Sequence, residues 1–494
     1  MIKRATMRRT GLLAIMLLAP GLAAAQGVDP LTAQLDQLIA SRKELATASV
    51  SAAVVDVATG KVILARDADT PRAIASAAKI FTSVAALAVL GPEFRWRTAV
   101  VTDGWDGAET IKGDLVLEGA GDPGLSTRDL RSLVWDLKQL GVRRVTGKVA
   151  IDEGYFDSQP LPPGFDHKLE DQPYRAPVSA LMLDHSTVTV IVKPAAAVGQ
   201  PARVTLDPPS DDVVVDNQAT TVAKGGPGLL VAGVSTPQDA KGGPRTTLTI
   251  TGAIRADAQP VRVKKRIDHP GRHAAAVFRA LLVAEGIEVK NRAFAQKTSP
   301  KTAKTRVLAS VGSETLAVVI REMAKTSNNQ QAEAILKTIG AEAGGEPGSS
   351  AKGLSAAREA LEALGLRKTS KLENGSGLYD TTAVPARDLA VVLASAARDY
   401  RLAPDLEGAL AIAGADGTLA SRFVGGPGER YVRAKTGTLE GVVVLAGFAG
   451  SSGGRGKLAF AIIVNGLRKE ATNAGRAFVD AFAEALVASL EQRK

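Results

Sequence analysis

The chain has 494 residues, of which 45% are hydrophobic and 4% aromatic, with no cysteine and a formal net charge of +10. The absence of cysteine excludes disulfides, thiolate catalysis, cysteine-ligated zinc and a lipid-modified N-terminal cysteine, while the length allows a large core and about three domains. Four of the positive charges stand in residues 1–25, and the +6 left over is scattered, without the clustered basic face and stacking aromatics that nucleic acid requires.

Residues 1–25 run from basic (Lys3, Arg4, Arg8, Arg9) through the apolar GLLAIMLLAP to small residues at Ala23 and Ala25. That order reads as a secretory signal peptide cleaved after Ala25. Its apolar run is too short for a membrane span, which needs roughly 20 residues. No later segment reads as transmembrane. LTAQLDQLIA (31–40) has helical spacing, and residues 49–69 read as a hairpin about the turn ATGK. AIASAAKIFTSVAALAVLG (73–91) reads as a helix stopped by Gly91 and Pro92.

From Trp96 the texture changes to short valine-rich runs between Gly, Pro and Asp clusters. These predict a strand-rich insertion over 98–304, with helices at 126–141 and 274–287 and an inner nested domain at about 122–205. Helical segments return after 305, followed by two strands about the turn SSGGRG and a closing helix. That helix carries Phe478, Phe482, Leu486 and Leu490 on one stripe, which predicts packing on the terminal sheet. The whole reads as one α+β domain, residues 26–97 and 305–494, split by the insertion.

Three short motifs carry the chemistry. Ser76 and Lys79 lie three apart at the head of the 73–91 helix, on one face. A serine hydroxyl is a poor nucleophile until a base takes its proton. A lysine can be that base if an apolar setting and the positive end of a helix dipole depress its pKa. A second Ser-x-x-Lys, Ser349 to Lys352, sits in a Gly/Pro-rich stretch and reads as a loop with no buried helix after it. Ser327-Asn328-Asn329 stands at a helix start, and Lys435-Thr436-Gly437-Thr438 enters a strand. Taken singly, these are an N-cap and a surface turn; in this order they form the signature of serine penicillin-recognising enzymes.

With these motifs the sequence resembles the D-alanyl-D-alanine carboxypeptidase/endopeptidase family, the class C low-molecular-mass penicillin-binding proteins. Ser327 follows Ser76 by 251 residues, an interval that matches a peptidase domain interrupted early by extra domains. The segments LEGAGDPGLS, PYRAPVSALMLDHSTVTV and ENGSGLYD are also similar, although Asn328 and ENGSG depart from the commoner Asp and Asp-Gly-Ser-Gly. The resemblance implies a penicillin-binding/serine β-lactamase-like transpeptidase fold, with an antiparallel sheet flanked by helices and an all-helical part. It implies a periplasmic enzyme without cofactor or metal. Peptidoglycan stem peptides would be its substrates and β-lactams its covalent inhibitors.

The resemblance also implies the roles. Ser76 attacks the penultimate D-alanine carbonyl and Lys79 is the acylation base. Ser327 passes a proton to the leaving amine, and Asn329 orients Lys79 and holds the substrate amide. Lys435 supplies electrostatic stabilisation and attracts the substrate carboxylate, which Thr436 and Thr438 bind. The Ser76 and Thr438 N–H groups form an oxyanion hole. Gly437 leaves the strand edge open to substrate. ENGSGL reads as a turn, with Asp122 and Pro123 structural.

Rival readings are weaker. His167, His185, His269 and His273 make no zinc motif; HPGRH, with Pro and Gly, reads as a turn rather than a ligand helix. No G-x-S-x-G elbow accompanies a histidine. A non-catalytic envelope scaffold and a β-lactamase remain alternatives. Retention of Lys79, Ser327 and Lys435 weighs against the first, and the lack of a recognisable deacylating glutamate against the second.

Overall fold

The computed structural model describes residues 30–168, 171–235, 246–291, 295–296, 304–379 and 382–492. The leader read at 1–25 lies outside them.

The centre of the molecule is a six-stranded antiparallel sheet built from both ends of the chain. Its strands are β1 (Ser49–Asp56), β2 (Val62–Arg66), β3 (Ala411–Ile412), β4 (Val432–Leu439), β5 (Val442–Ala449) and β6 (Leu458–Asn465), in the order β2-β1-β6-β5-β4-β3. The middle strands VVVLAGFA and LAFAIIVN do not alternate apolar with polar, because both faces of the sheet are covered. The helices around it are α1 (Pro30–Ala40), α2 (Ala78–Leu90), α3 (Leu316–Thr326), α4 (Asn329–Gly344), α5 (Ser350–Glu362), α6 (Ala386–Arg398), α7 (Ala403–Ala409) and α8 (Thr472–Glu491).

One face of the sheet packs on α1 and α8, where Phe478, Phe482, Leu486 and Leu490 are buried among Val443, Leu445, Phe460 and Ile462. The closing helix thus packs on the sheet as its stripe predicts. The other face meets α2, α6 and the all-helical part, with Phe81, Val84, Leu389 and Leu393 in the seam. In the short antiparallel pair Arg72–Ala73 with Ala383–Val384, the chain leading to α2 is held beside the sheet end by Asn465, whose side chain bonds both ways with the Ala73 backbone.

Residues 97–312 are strand-rich. Arg97–Thr102 pairs with Leu115–Glu118 and with Arg306–Gly312, and Leu115–Glu118 pairs in parallel with Val149–Asp152. Helices Thr127–Gln139 and Pro270–Ala284 share a core with these strands. By pairing, the insertion therefore runs to Gly312, beyond the expected boundary at 304.

A second core, centred on Val188, Val190, Leu248 and Ile250, is enclosed by strands between Thr187 and Arg266. The nested unit is thus about 187–267 rather than 122–205. Helix Thr127–Gln139 belongs to the outer core because its Leu130, Leu133 and Leu137 pack with Leu115 and Val149.

Two turn readings are corrected. HPGRH opens helix Pro270–Ala284, with Pro270 at its first position, where a missing N–H costs nothing. Ser349 caps α5, its hydroxyl accepting from the Lys352 N–H, so a helix does follow it.

Candidate active site

Ser76 stands in a 3-10 turn, Ala75–Ala77, that runs straight into α2. Its N–H is among the first-turn donors that a helix leaves without an intrahelical partner. Ala75 is buried at φ 47°, a left-handed conformation uncommon for a side-chain-bearing residue, and this kink sets the turn off from the strand before it.

Lys79 is the second residue of α2 and wholly buried. Its Nζ lies 3.0 Å from Ser76 Oγ, 2.6 Å from Asn329 Oδ1 and 2.8 Å from the Ser376 carbonyl oxygen. The last two partners are acceptors only. A neutral amine has two hydrogens and one lone pair, so both hydrogens are spent on them and the lone pair faces Ser76. Burial is the largest cause holding the Lys79 pKa well below the usual lysine range; Lys435 adds to it and Glu333 opposes it.

The second motif straddles two helices. Ser327 ends α3 in a left-handed conformation (φ 60°, ψ 38°), and Asn328, one residue on, caps α4 by accepting from the Gln331 N–H. That abrupt reversal brings Ser327 Oγ to 2.9 Å from Lys435 Nζ. Asn329, the first residue of α4, turns its oxygen to Lys79 and donates through Nδ2 to the Tyr174 carbonyl at 2.9 Å. The insertion, through Tyr174, thus helps fix the site.

The third motif lies on β4. Lys435 is wholly buried and also donates to the Thr436 carbonyl at 2.9 Å; burial pulls its pKa down to about 7. The Tyr431 carbonyl accepts from Gly450 towards β5, and the Val432 carbonyl accepts from Ala413 on the opposite edge. By the alternation of a strand, the backbone groups of Thr436 and Thr438 point to that outer edge, away from β5.

Thr438 is exposed and lines the cleft with Ser76, Ser327 and Asn329. Thr436 is buried and bonds its hydroxyl to Thr418 Oγ1 at 2.9 Å, so it does not share Thr438's place at the cleft. A methyl at Gly437 would sit 2.6 Å from the Ile74 carbonyl. The glycine is required by the close packing of β4 on the turn that carries Ser76, a reason distinct from open access for substrate.

The cleft has a volume of about 630 Å³ and is walled by Tyr174, Leu378, Tyr379, Leu439, Lys168 and Glu440. Lys168 and Glu440 approach to 3.8 Å. Ser349 and Lys352 are not among the residues lining it, and the Lys352 amine is spent on the Gly345 and Pro347 carbonyls.

Reading the sequence missed several participants. The ENGSG turn packs directly on the Ser76 turn: a methyl at Gly377 would fall 1.9 Å from the Ala75 carbonyl. Its Ser376 carbonyl meets Lys79, and its Gly375 carbonyl accepts from Thr82 at 2.6 Å. Glu333, wholly buried, accepts from the Gly375 and Ser376 N–H groups at 3.0 and 2.8 Å. A backbone carbonyl has no sequence signal. Glu333 did have one, since it falls four residues after Asn329 and so on the same helix face.

Comparisons with known proteins identify the family. The model of the D-Ala-D-Ala carboxypeptidase 3 (S13) family matches residues 31–486. A D-alanyl-D-alanine carboxypeptidase of Actinomadura sp. (strain R39) is 35% identical over 424 residues, 84% of this chain and 77% of that protein. In fold, the crystal structure of penicillin binding protein 4 from Haemophilus influenzae superposes with a TM-score of 0.76 at 24% identity, covering 92% of this chain and 98% of that one. The same protein complexed with a β-lactam superposes at 0.72 and 23% identity, with the same coverage. With 35% identity to a D-alanyl-D-alanine carboxypeptidase and a family match across nearly its whole length, the chain belongs to the D-Ala-D-Ala carboxypeptidase 3 (S13) family and is a serine-type DD-peptidase.

Proposed function

We propose that Ser76 is the nucleophile and Lys79 the base of an acyl-transfer reaction on the D-Ala-D-Ala end of peptidoglycan stem peptides and on the DD-cross-links made from it. The observation that carries this reading is the amine of Lys79, buried, with two carbonyl acceptors and its remaining valence on the Ser76 hydroxyl.

Lys79 takes the Ser76 proton as Oγ bonds to the penultimate D-alanine carbonyl carbon. The negative charge gathers on the former carbonyl oxygen, near the N–H groups of Ser76 and Thr438. The C–N bond then breaks, and the leaving amine of the terminal residue takes a proton relayed through Ser327 from Lys435. Water releases the acyl group by the reverse proton path. Lys435 and the Thr438 hydroxyl suit the terminal carboxylate, and Asn329 spends its amide on holding Lys79 and Tyr174 in place.

A β-lactam offers a strained acyl group at the same position, so it acylates Ser76. The basic-apolar-small order of residues 1–25 supports export to the periplasm, and among the described residues no helix is long and apolar enough to cross a membrane.

The test is intact-protein mass spectrometry after incubation with benzylpenicillin, wild type beside Ser76→Ala. A one-to-one adduct on the wild type alone is expected. No adduct with no penicillin consumed points to a scaffold; no adduct with rapid consumption points to a β-lactamase.

A further inference from the structure

Glu333 is a wholly buried acid whose charge acts on Lys79, yet it does not line the cleft. It stands one turn after Asn329 on α4, so one helix face carries both. Asn329 reaches Lys79 directly. Glu333 grips the neighbouring loop instead, with Oε2 accepting from Gly375 N and Oε1 from Ser376 N. The carbonyl of that same Ser376 accepts from Lys79 Nζ. Both acceptors that spend the Lys79 hydrogens are therefore anchored to a single helix, one through a side-chain amide and one through a carboxylate-clamped peptide.

We propose that Glu333 is a positioning residue for acylation: by clamping the Gly375–Ser376 peptide it holds the Ser376 carbonyl against Lys79 and so aims the amine lone pair at Ser76. The inference rests on the reading of Lys79 as the base. A carboxylate in a dry core is costly unless fully bonded: burial pushes the Glu333 pKa up, and the two backbone donors of Gly375 and Ser376 oppose that shift. A packing role alone would be served by an apolar side chain of similar volume.

The charge gives the role a signature. The charged groups around Glu333 are Lys79 on α2 and, acting on Lys79 from β4, Lys435; Lys337, one turn further along α4, is turned away to Asp157 and the Gln159 carbonyl. The Glu333 carboxylate favours the protonated form of Lys79, and so does the Ser376 carbonyl it holds. Removing the charge, or letting that carbonyl swing away, lowers the proton affinity of Lys79. Acylation stops at low pH when Lys79 is protonated, so its acid limb moves to lower pH in Glu333→Gln.

The experiment is the rate of acylation by benzylpenicillin as a function of pH for wild type, Glu333→Gln and Glu333→Asp, after a folding check by circular dichroism. For Glu333→Gln we expect a plateau ~10- to 100-fold lower, the loss typical of a misplaced catalytic group, and an acid limb at lower pH. Glu333→Asp keeps the charge on a shorter reach, so its limb stays at the wild-type pH with a reduced plateau. A wild-type plateau and limb in Glu333→Gln overturns the proposal, as does an equal loss in both variants with neither limb moved. If Glu333→Gln does not fold, the Asp variant decides: a lower plateau with the wild-type limb supports the clamp, and an unchanged plateau overturns it. Failure of the wild type to be acylated at any pH overturns instead the assignment of Ser76 and Lys79 on which the proposal stands.

Discussion

Lys435 Nζ lies 2.9 Å from Ser327 Oγ, so a wholly buried lysine on the sheet is bound to a hydroxyl at the tip of a helix in the all-helical part. Burial pulls its pKa down to about 7. The folded state therefore binds fewer protons than the unfolded chain between that pH and the ordinary lysine value. Stability from this group rises as pH increases across that window, and the desolvation cost of the charge is felt in full below it. Lys435→Met should raise the melting temperature over wild type at pH 6, with the gap narrower at pH 9, and should lower kcat/KM on D-Ala-D-Ala peptides at least ~100-fold. Thermal melts at the two pH values and peptide hydrolysis check it.

Lys79→Ala removes the proposed base and leaves the cleft walls in place. Acylation by benzylpenicillin should slow by ~100- to 10,000-fold, the usual worth of general-base catalysis, while reversible binding of the antibiotic survives. Stopped-flow acylation against antibiotic concentration separates the two constants. A near-normal acylation rate constant would remove lysine from that role.

Gly437→Ala places a methyl 2.6 Å from the Ile74 carbonyl, where backbone must shift. The movement opens the gap between β4 and the Ser76 turn, and with it the spacing of the Ser76 and Thr438 N–H groups. A kcat loss of roughly 100-fold is expected, the scale of losing one oxyanion donor, with a smaller change in KM. Steady-state kinetics on a D-Ala-D-Ala peptide measure both.

Ser349→Ala tests the other Ser-x-x-Lys pair. Ser349 caps α5 and accepts from the Lys352 N–H, so its loss should cost about 1 kcal/mol of stability with hydrolysis unchanged. Ser76→Ala should do the reverse, abolishing hydrolysis with little change in stability. Denaturant unfolding and peptide hydrolysis on the two variants suffice.

What the sequence displayed, and what it hid, follows from how far each feature depends on distant chain. The hairpin β1–β2 and the stripe of α8 are local patterns, and each stands where periodicity put it. Short valine runs look alike whichever core they face, so only pairing shows that Thr187–Arg266 encloses a core of its own. HPGRH opens a helix, although Pro looks the same in a turn and at the first position of a helix. The Ser376 carbonyl was invisible, being backbone brought to Lys79 from 297 residues away. For Ser76 and Ser349 the spacing is identical, and surroundings alone separate a buried amine facing a hydroxyl from a helix cap.

The order in which the central sheet is made bears on biosynthesis. β1 lies between β2 and β6, with Ser49 opposite Asn465, so its second neighbour is translated 416 residues later. At about 5–20 residues per second that is a wait of roughly 20–80 s. Until then one edge of β1 is bare, and the strand bearing Lys435 does not yet exist for most of the interval. A nascent chain released before β6 leaves β1 half-paired, and one released before β4 lacks Lys435 altogether.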